Sequence, residues 1–226
     1  MGFNRELVGY WLGDRLPLKI NLQVYDTLAS TSETLWKLME KGASPGTVVV
    51  ALQQTAGRGQ WGRQWSSNLG GLYLSLALTP NLPTAHSSYL TICTAWGIAT
   101  QLRDYEIPVE LKWPNDLILD RRKLGGILTE TRIQQDLITQ AVVGVGINWT
   151  NRVPEVGINL QDFLTKIDSL EKLAALTIQG IVLGYSYCNP QKFKTIIPAY
   201  KQLLTSDTYR DTTAESELFF QQLEFK

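Results

Sequence analysis

Strand-like and helix-like segments alternate along this chain, a pattern compatible with an α+β fold. The strands show first. Leu72, Leu74, Leu76 and Leu78 alternate with Tyr73, Ser75 and Ala77, and Leu137 to Asn148 reads LITQAVVGVGIN. Alternation marks a strand with one apolar face, because side-chain direction in a strand has a period of two. The helices show as His86 to Tyr105, with Leu90, Cys93, Ala95, Ile98 and Leu102 on its buried side, and as Ser169 to Cys188. A length of 226 residues suits one ordinary domain.

In chain order, residues 1–20 carry little pattern and no helix-turn-helix, which argues against a DNA-binding module. Asn21 to Asp26 alternates as a strand. In Ser30-Thr31-Ser32-Glu33, a serine followed three residues later by a glutamate is a capping box, with Ser30 as N-cap. The helix runs through Leu35, Leu38 and Met39 and stops at Gly42. The hydroxyls at its start suit a ligand as well as a cap, and the two roles can coexist. Thr47 to Leu52, TVVVAL, is a β-branched run that reads as a buried strand.

That strand feeds Gln54 to Trp65, QTAGRGQWGRQW, which has three glycines, two arginines, two tryptophans and no acid. Glycines let a backbone come close to a ligand. Arginines present planar forks to carboxylates and phosphates. Strands lead into and out of the stretch, so its ends are held while its middle is free to move. It reads as a lid over an anionic ligand.

Val109 to Asp116, VELKWPND, puts Lys112 at the end of a short strand, a turn at Trp113-Pro114, and the polar Asn115 and Asp116 after it. Leu117 to Leu119 resumes a strand, Asp120-Arg121-Arg122 reads as a hairpin turn, and Lys123 to Leu128 opens the next strand. Gly125 and Gly126 leave room for a ligand against the backbone. Asn148 and Trp149 end the long strand, as base-reading groups or as turn residues. Pro190 to Leu204 reads as a last helix interrupted near Pro198, followed by a polar, acidic tail.

Lys+Arg and Asp+Glu both number 21, so there is no general electrostatic case for nucleic acid. No segment of 18 uncharged apolar residues exists, and the N-terminus lacks a secretory pattern. Cys93 and Cys188 form neither a metal pattern nor a disulfide framework, which suits a reducing, cytoplasmic setting. His86 is the only histidine and reads as a surface or capping residue, so serine–histidine and cysteine–histidine catalysis have little support. GRGQWG has GxGxxG spacing but no helix pattern behind it, and no Walker A motif is present. What remains is chemistry by positioning and charge neutralisation, of the kind used in phosphoryl and nucleotidyl transfer.

These residues carry a resemblance. Gln54-Thr55-Ala56-Gly57-Arg58-Gly59 with Gly62-Arg63 and Trp65 looks like the biotin-binding loop of biotin protein ligases. Lys112 to Asp116 matches that family's KWPND, Lys123 to Leu128 resembles its KLxGIL segment, and Gly144 to Asn148 its GxGIN strand. Ser30-Thr31 stands where the family has Ser-Thr. The motifs keep the family's order and span about residues 22–150.

The resemblance implies a mixed β-sheet with helices packed on one side, like the catalytic core of class II aminoacyl-tRNA synthetases. It implies biotin, ATP and Mg2+, with metal ligands unassigned, and a biotin carboxyl carrier protein of acetyl-CoA carboxylase as partner. It assigns Ser30, Thr31, Gln54, Gly57, Arg58, Gln60, Trp65, Lys123 and Gly126 to biotin, with Lys123 on the biotin carboxylate and the bridging phosphate. Arg58 and Arg63 would hold the adenylate phosphate and the lid. Lys112 would support the phosphates, Asn115, Asp116 and Asn148 would serve the nucleotide, and Asp116 would orient a lysine or the magnesium. Lys123 would be the essential catalytic group, with Arg58 and Lys112 beside it. The resemblance also allows a homodimer by sheet extension. Gln60 departs from the second arginine of many members, and Ser32 from the usual asparagine. Residues 1–188 are expected to form the catalytic domain, and 189–226 a helix and short tail in place of the usual SH3-like domain. A lipoate ligase or lipoyl transferase of the same superfamily, and a biotin-binding protein without ligase activity, are the competing readings.

Overall fold

A computed structural model describes residues 2–14, 16–205 and 218–219. Seven strands form one mixed sheet in the order β1-β2-β3-β8-β7-β6-β5, with a short β4 added on β8. They are β1 (Asn21–Leu28), β2 (Thr47–Gln54), β3 (Gly71–Leu78), β4 (Leu82–Pro83), β5 (Glu110–Lys112), β6 (Asp116–Leu119), β7 (Arg122–Gln134) and β8 (Leu137–Asn148). β1 and β2 are parallel and the other pairs antiparallel. The helices are α1 (Arg5–Leu12), α2 (Thr31–Glu40), α3 (Ser87–Asp104), α4 (Leu170–Ser186) and α5 (Pro190–Leu203).

Strand alternation gives the two sheet faces different contents. Val48, Val50, Leu72, Leu74, Leu76 and Val143 point into a large core filled from α3, α4 and α5. The next residues along, Val49, Ala77 and Val142, meet Leu35 and Met39 of α2 on the opposite face. The one-sided helix layer therefore holds for α3–α5, and α2 is its exception. Because α2 covers only part of its face, the sheet beside it stays open, and the candidate site lies there.

α3 and α4 touch at backbone distance. A Cβ on Gly97 would fall 2.1 Å from the Gly180 carbonyl oxygen, and one on Gly184 would fall 2.2 Å from that of Cys93. This close approach pulls both helices onto the sheet.

Residues 1–20, patternless in the sequence, contain α1. The Asn4 side chain accepts from the amides of Glu6 and Leu7 and caps it. The Lys172 ammonium on α4 lies 4.4 Å from the Trp11 ring centre, so α1 docks by a cation–π contact and by burial of Val8. The apolar side of α1 is Val8, Trp11 and Leu12, a short stripe missed at the sequence level.

α5 runs through Pro198 rather than breaking there, since Ile196 and Tyr200 are anchored in the core on either side. The boundary expected at residue 188/189 is not a break in the core either. Phe193 and Tyr200 belong to the main cluster, and the Phe193 ring stacks 3.6 Å from Tyr89. The expected polar tail beyond Thr205 lies outside the described residues except at 218–219. His86 occupies the N-cap position of α3 without a side-chain cap bond, its ring stacked on Tyr89. Among the described residues no helix is long and apolar enough to cross a membrane.

Candidate active site

The site grows out of the register of β2, β3, β7 and β8. Ser75 of β3 pairs with Gly144 of β8, and Gly146 of β8 with Gly126 of β7. These small residues face the α2 side and leave the sheet open beside the N-terminus of α2. The start of α2 forms one wall. The Ser30 hydroxyl accepts from the Glu33 amide at 3.4 Å, the cap the capping box predicted.

A hydroxyl network lies beneath that wall. Gln54 Oε1 accepts from the Thr31 amide at 2.8 Å, and Gln54 Nε2 donates to Ser67 Oγ at 2.8 Å. Thr31 Oγ1 and Ser32 Oγ lie 2.8 and 2.9 Å from Ser75 Oγ, which is fully buried. Ser75 was missed at the sequence level. Its signal was present, as the only serine in the otherwise apolar and aromatic run Gly71–Leu78.

Opposite stands the KWPND turn. Asn115 Nδ2 donates to the Ile127 carbonyl at 2.8 Å, and the Ile127 amide returns a bond to the Asn115 carbonyl at 3.0 Å, fastening the turn to β7. The Tyr200 hydroxyl donates to the Pro114 carbonyl, so α5 braces the turn from behind. Asp116 Oδ1 lies 2.8 Å from Lys123 Nζ. Asp116 thus holds a lysine, one of the two roles expected of it.

The stretch after β2 is a narrow flap. The Thr55 and Ala56 amides donate to the Leu28 and Ala29 carbonyls, which extends β2 along β1. Trp65 N then donates to the Gly57 carbonyl and Gly59 N to the Arg63 carbonyl, pairing the two arms. The tip is a 3-10 turn, Gln60–Gly62, with Trp61 at φ 58° and 91% exposed. Gly57 sits at the neck, where an added Cβ would come within 2.5 Å of both Ser67 Oγ and the Trp65 carbonyl. The Trp65 ring lies flat on Gly146, with Lys123 Nζ 5.3 Å from its centre. Its indole N–H is buried and has no hydrogen-bond partner.

Together these walls enclose a cavity of about 440 Å³. It gathers Ser30, Thr31, Gln54, Arg58, Gln60, Arg63, Trp65, Lys112, Asn115, Asp116, Lys123 and Gly126 from four sequence regions. Two expected residues stand apart from the lining. Gly57 shapes the flap neck. Asn148 is buried with its amide committed, donating to the carbonyls of Ile158 and Lys123 and accepting from Asn151, so it steadies the strand end that carries Lys123 rather than facing the cavity. Residues missed from the sequence also line it, among them Ser32, Trp61, Trp113 and Gly144.

The lining brings the cations Arg58, Arg63, Lys112 and Lys123 against Asp116 as the one acid, so it favours an anion. A polar hydroxyl pocket at one end and a cationic mouth at the other suit a long ligand with a polar head and an anionic tail. Among the described residues no group of three or more His, Cys, Asp or Glu is placed to hold a metal ion.

Comparison with known proteins gives the same site a context. The model of the Biotin/lipoate A/B protein ligase family matches residues 24–148. The bifunctional ligase/repressor BirA of Bacillus subtilis is 35% identical over 170 residues, covering 73% of this chain and 52% of that protein. The biotin–[acetyl-CoA-carboxylase] ligase of Mycobacterium tuberculosis is 33% identical over 182 residues, covering 74% of this chain and 66% of that protein. The biotin protein ligase from Aquifex aeolicus, solved with biotin and ATP, superposes with a TM-score of 0.67 at 30% identity over 81% of this chain and 78% of that one. The chain spans about half the length of the Bacillus BirA proteins it matches.

Proposed function

Since this chain belongs to the Biotin/lipoate A/B protein ligase family, we propose that it is a biotin protein ligase. In the first step a biotin carboxylate oxygen attacks the α-phosphorus of ATP. The bond to the departing pyrophosphate breaks, and biotinyl-5′-AMP forms. In the second step a lysine amine of a biotin carboxyl carrier protein attacks the acyl carbon, AMP leaves with the bond electrons, and the amine loses a proton. If ATP arrives with magnesium, Asp116, the one acid of the lining, would be the carboxylate available to it, and the ion would help neutralise the phosphates.

The observation that carries this reading is that hydroxyls at Ser30, Thr31 and Ser32, backed by the buried Ser75, share one cavity with the Lys123–Asp116 pair and with Gly126, Gly144 and Gly146. The pocket suits a cyclic urea, which needs both donors and acceptors. Gln54 holds Thr31 and gives the pocket its orientation. Lys123 and Lys112 neutralise charge as carboxylate and phosphate approach, a fixed arrangement that costs no reorganisation during the reaction. Arg58 and Arg63 meet the adenylate phosphate, while Trp65 covers the ligand and excludes water that would hydrolyse it. Residues 1–188 supply the catalytic residues, and α5 braces the KWPND turn. The buried thiols Cys93 and Cys188 suit a reducing cytosol.

The test is biotin-dependent exchange of labelled pyrophosphate into ATP. Exchange with biotin and none with lipoate supports the proposal. Exchange with lipoate alone transfers the chain to the lipoate branch, and no exchange with either acid removes the ligase reading.

A further inference from the structure

Beyond the backbone bonds of Thr55 and Ala56 to β1, the flap arm carrying Arg58 has one side-chain tie to the sheet. Arg58 Nη2 donates to the Glu130 carboxylate at 3.0 Å, and the same carboxylate accepts the Trp36 indole N–H at 3.3 Å. Glu130 belongs to none of the motifs that mark the site. It lies on β7, four residues beyond the cavity floor at Gly126, on the edge that looks toward α2. Among the described residues no other side chain of 58–64 makes a hydrogen bond or ion pair outside the flap. The remaining hold on the flap is Trp65 lying on Gly146. The flap therefore has one apolar foot and one ionic foot. The ionic foot is partly solvated, with the Arg58 side chain 45% and the Glu130 side chain 26% exposed, so it is weak enough to open and close.

We propose that Glu130 is a positioning residue that anchors the flap through Arg58 and thereby sets how long an anionic ligand stays beneath it. Arg58 has further guanidinium donors to turn toward a ligand phosphate while one is spent on Glu130. The carboxylate fixes the fork in place before the ligand arrives, so less side-chain freedom is lost on binding. In a chain with Gln60 rather than an arginine at the flap tip, this second foot carries more of the retention. The ligand half of the proposal rests on the ligase reading. The anchoring half does not.

The test pairs hydrogen exchange with ligand release. In the ligand-free protein, E130A should speed exchange of the amides at 57–64 by about two- to fivefold, the effect of losing one exposed ion pair. W36F removes the other partner of Glu130 and should leave that exchange near wild type. Charge reversal, E130R with R58E, should restore protection. In preloaded protein, E130A should shorten the half-life of bound biotinyl-adenylate in the same range. Unchanged exchange in E130A, or an equal increase in W36F, overturns the anchor. Faster exchange with an unchanged adenylate half-life overturns the retention role. A wild-type protein that forms no adenylate defeats the ligase reading instead, and the exchange measurements still decide the anchor.

Discussion

Lys123 and Asp116 face each other across 2.8 Å at the edge of the cavity, with the Trp65 ring 5.3 Å beyond the ammonium. The pair joins the KWPND turn to the strand that follows the hairpin, so two sequence motifs become one charged unit. Lys123→Ala removes the cation nearest to where charge develops. We expect adenylate formation to fall by about 10²- to 10³-fold, the usual cost of losing one preorganised electrostatic group. Asp116→Asn keeps the size but loosens the lysine, and we expect about a tenfold loss. Single-turnover adenylation measures both, and near-normal rates in Lys123→Ala would show that the catalytic assignment is wrong.

Ser75 is held between Thr31 and Ser32 with no exposure to solvent. Ser75→Ala removes the shared partner, which leaves the buried Ser32 hydroxyl without its bond while Thr31 Oγ1 keeps Gln54 Oε1. The cost is about 1–3 kcal/mol, which corresponds to a Tm lower by about 2–12 °C for a chain of this size. Biotin affinity should fall as well, because Ser32 loses its fixed orientation. Calorimetric melting and biotin titration read the two effects separately.

An alanine at Gly146 puts its Cβ 2.4 Å from Trp65 Nε1, and the ring must move away from the sheet. Gly146→Ala should therefore weaken biotin binding by about tenfold through loss of the cover and of the contact with Lys123. Its melting temperature should change little, since the indole can swing toward solvent. Biotin affinity that matches wild type would show that the cover is dispensable.

Gly184→Ala meets a harder obstacle, the carbonyl of Cys93 at 2.2 Å. Backbone cannot give way as a side chain can, so α3 and α4 must separate. We expect a stability loss at or above the ~1–3 kcal/mol typical of overpacking. The site is built on the other face of the sheet, so activity per folded molecule should stay near wild type. Denaturant titration alongside active-site titration checks the contrast with Gly146→Ala.

The elements with strong local periodicity were legible in the sequence. The strands at Thr47–Gln54, Gly71–Leu78 and Leu137–Asn148 and the helix Ser87–Asp104 stand within a few residues of where alternation and spacing put them. The Ser30 cap was legible because a capping box is a local contact. What stayed hidden depends on partners distant in sequence. Glu130 gains its role from Arg58, 72 positions away, and Ser75 from Thr31, 44 away. Asn148 looked like a ligand-facing strand end, yet the loop at Ile158 and Asn151 folds back and claims its amide. Placement of α2 opposite the other helices follows from its packing on Val49, Ala77 and Val142, which no local pattern reveals.

On the proposed function, biotin activated in this cavity passes to a carrier lysine. Incubating the protein with biotin, MgATP and an apo carrier domain, and weighing the carrier by intact-mass spectrometry, tests it most directly. The account predicts a carrier heavier by one biotinyl group, dependent on ATP and lost in Lys123→Ala. A carrier that keeps its apo mass with wild-type protein, or gains a lipoyl group when lipoate is supplied and nothing with biotin, would contradict it.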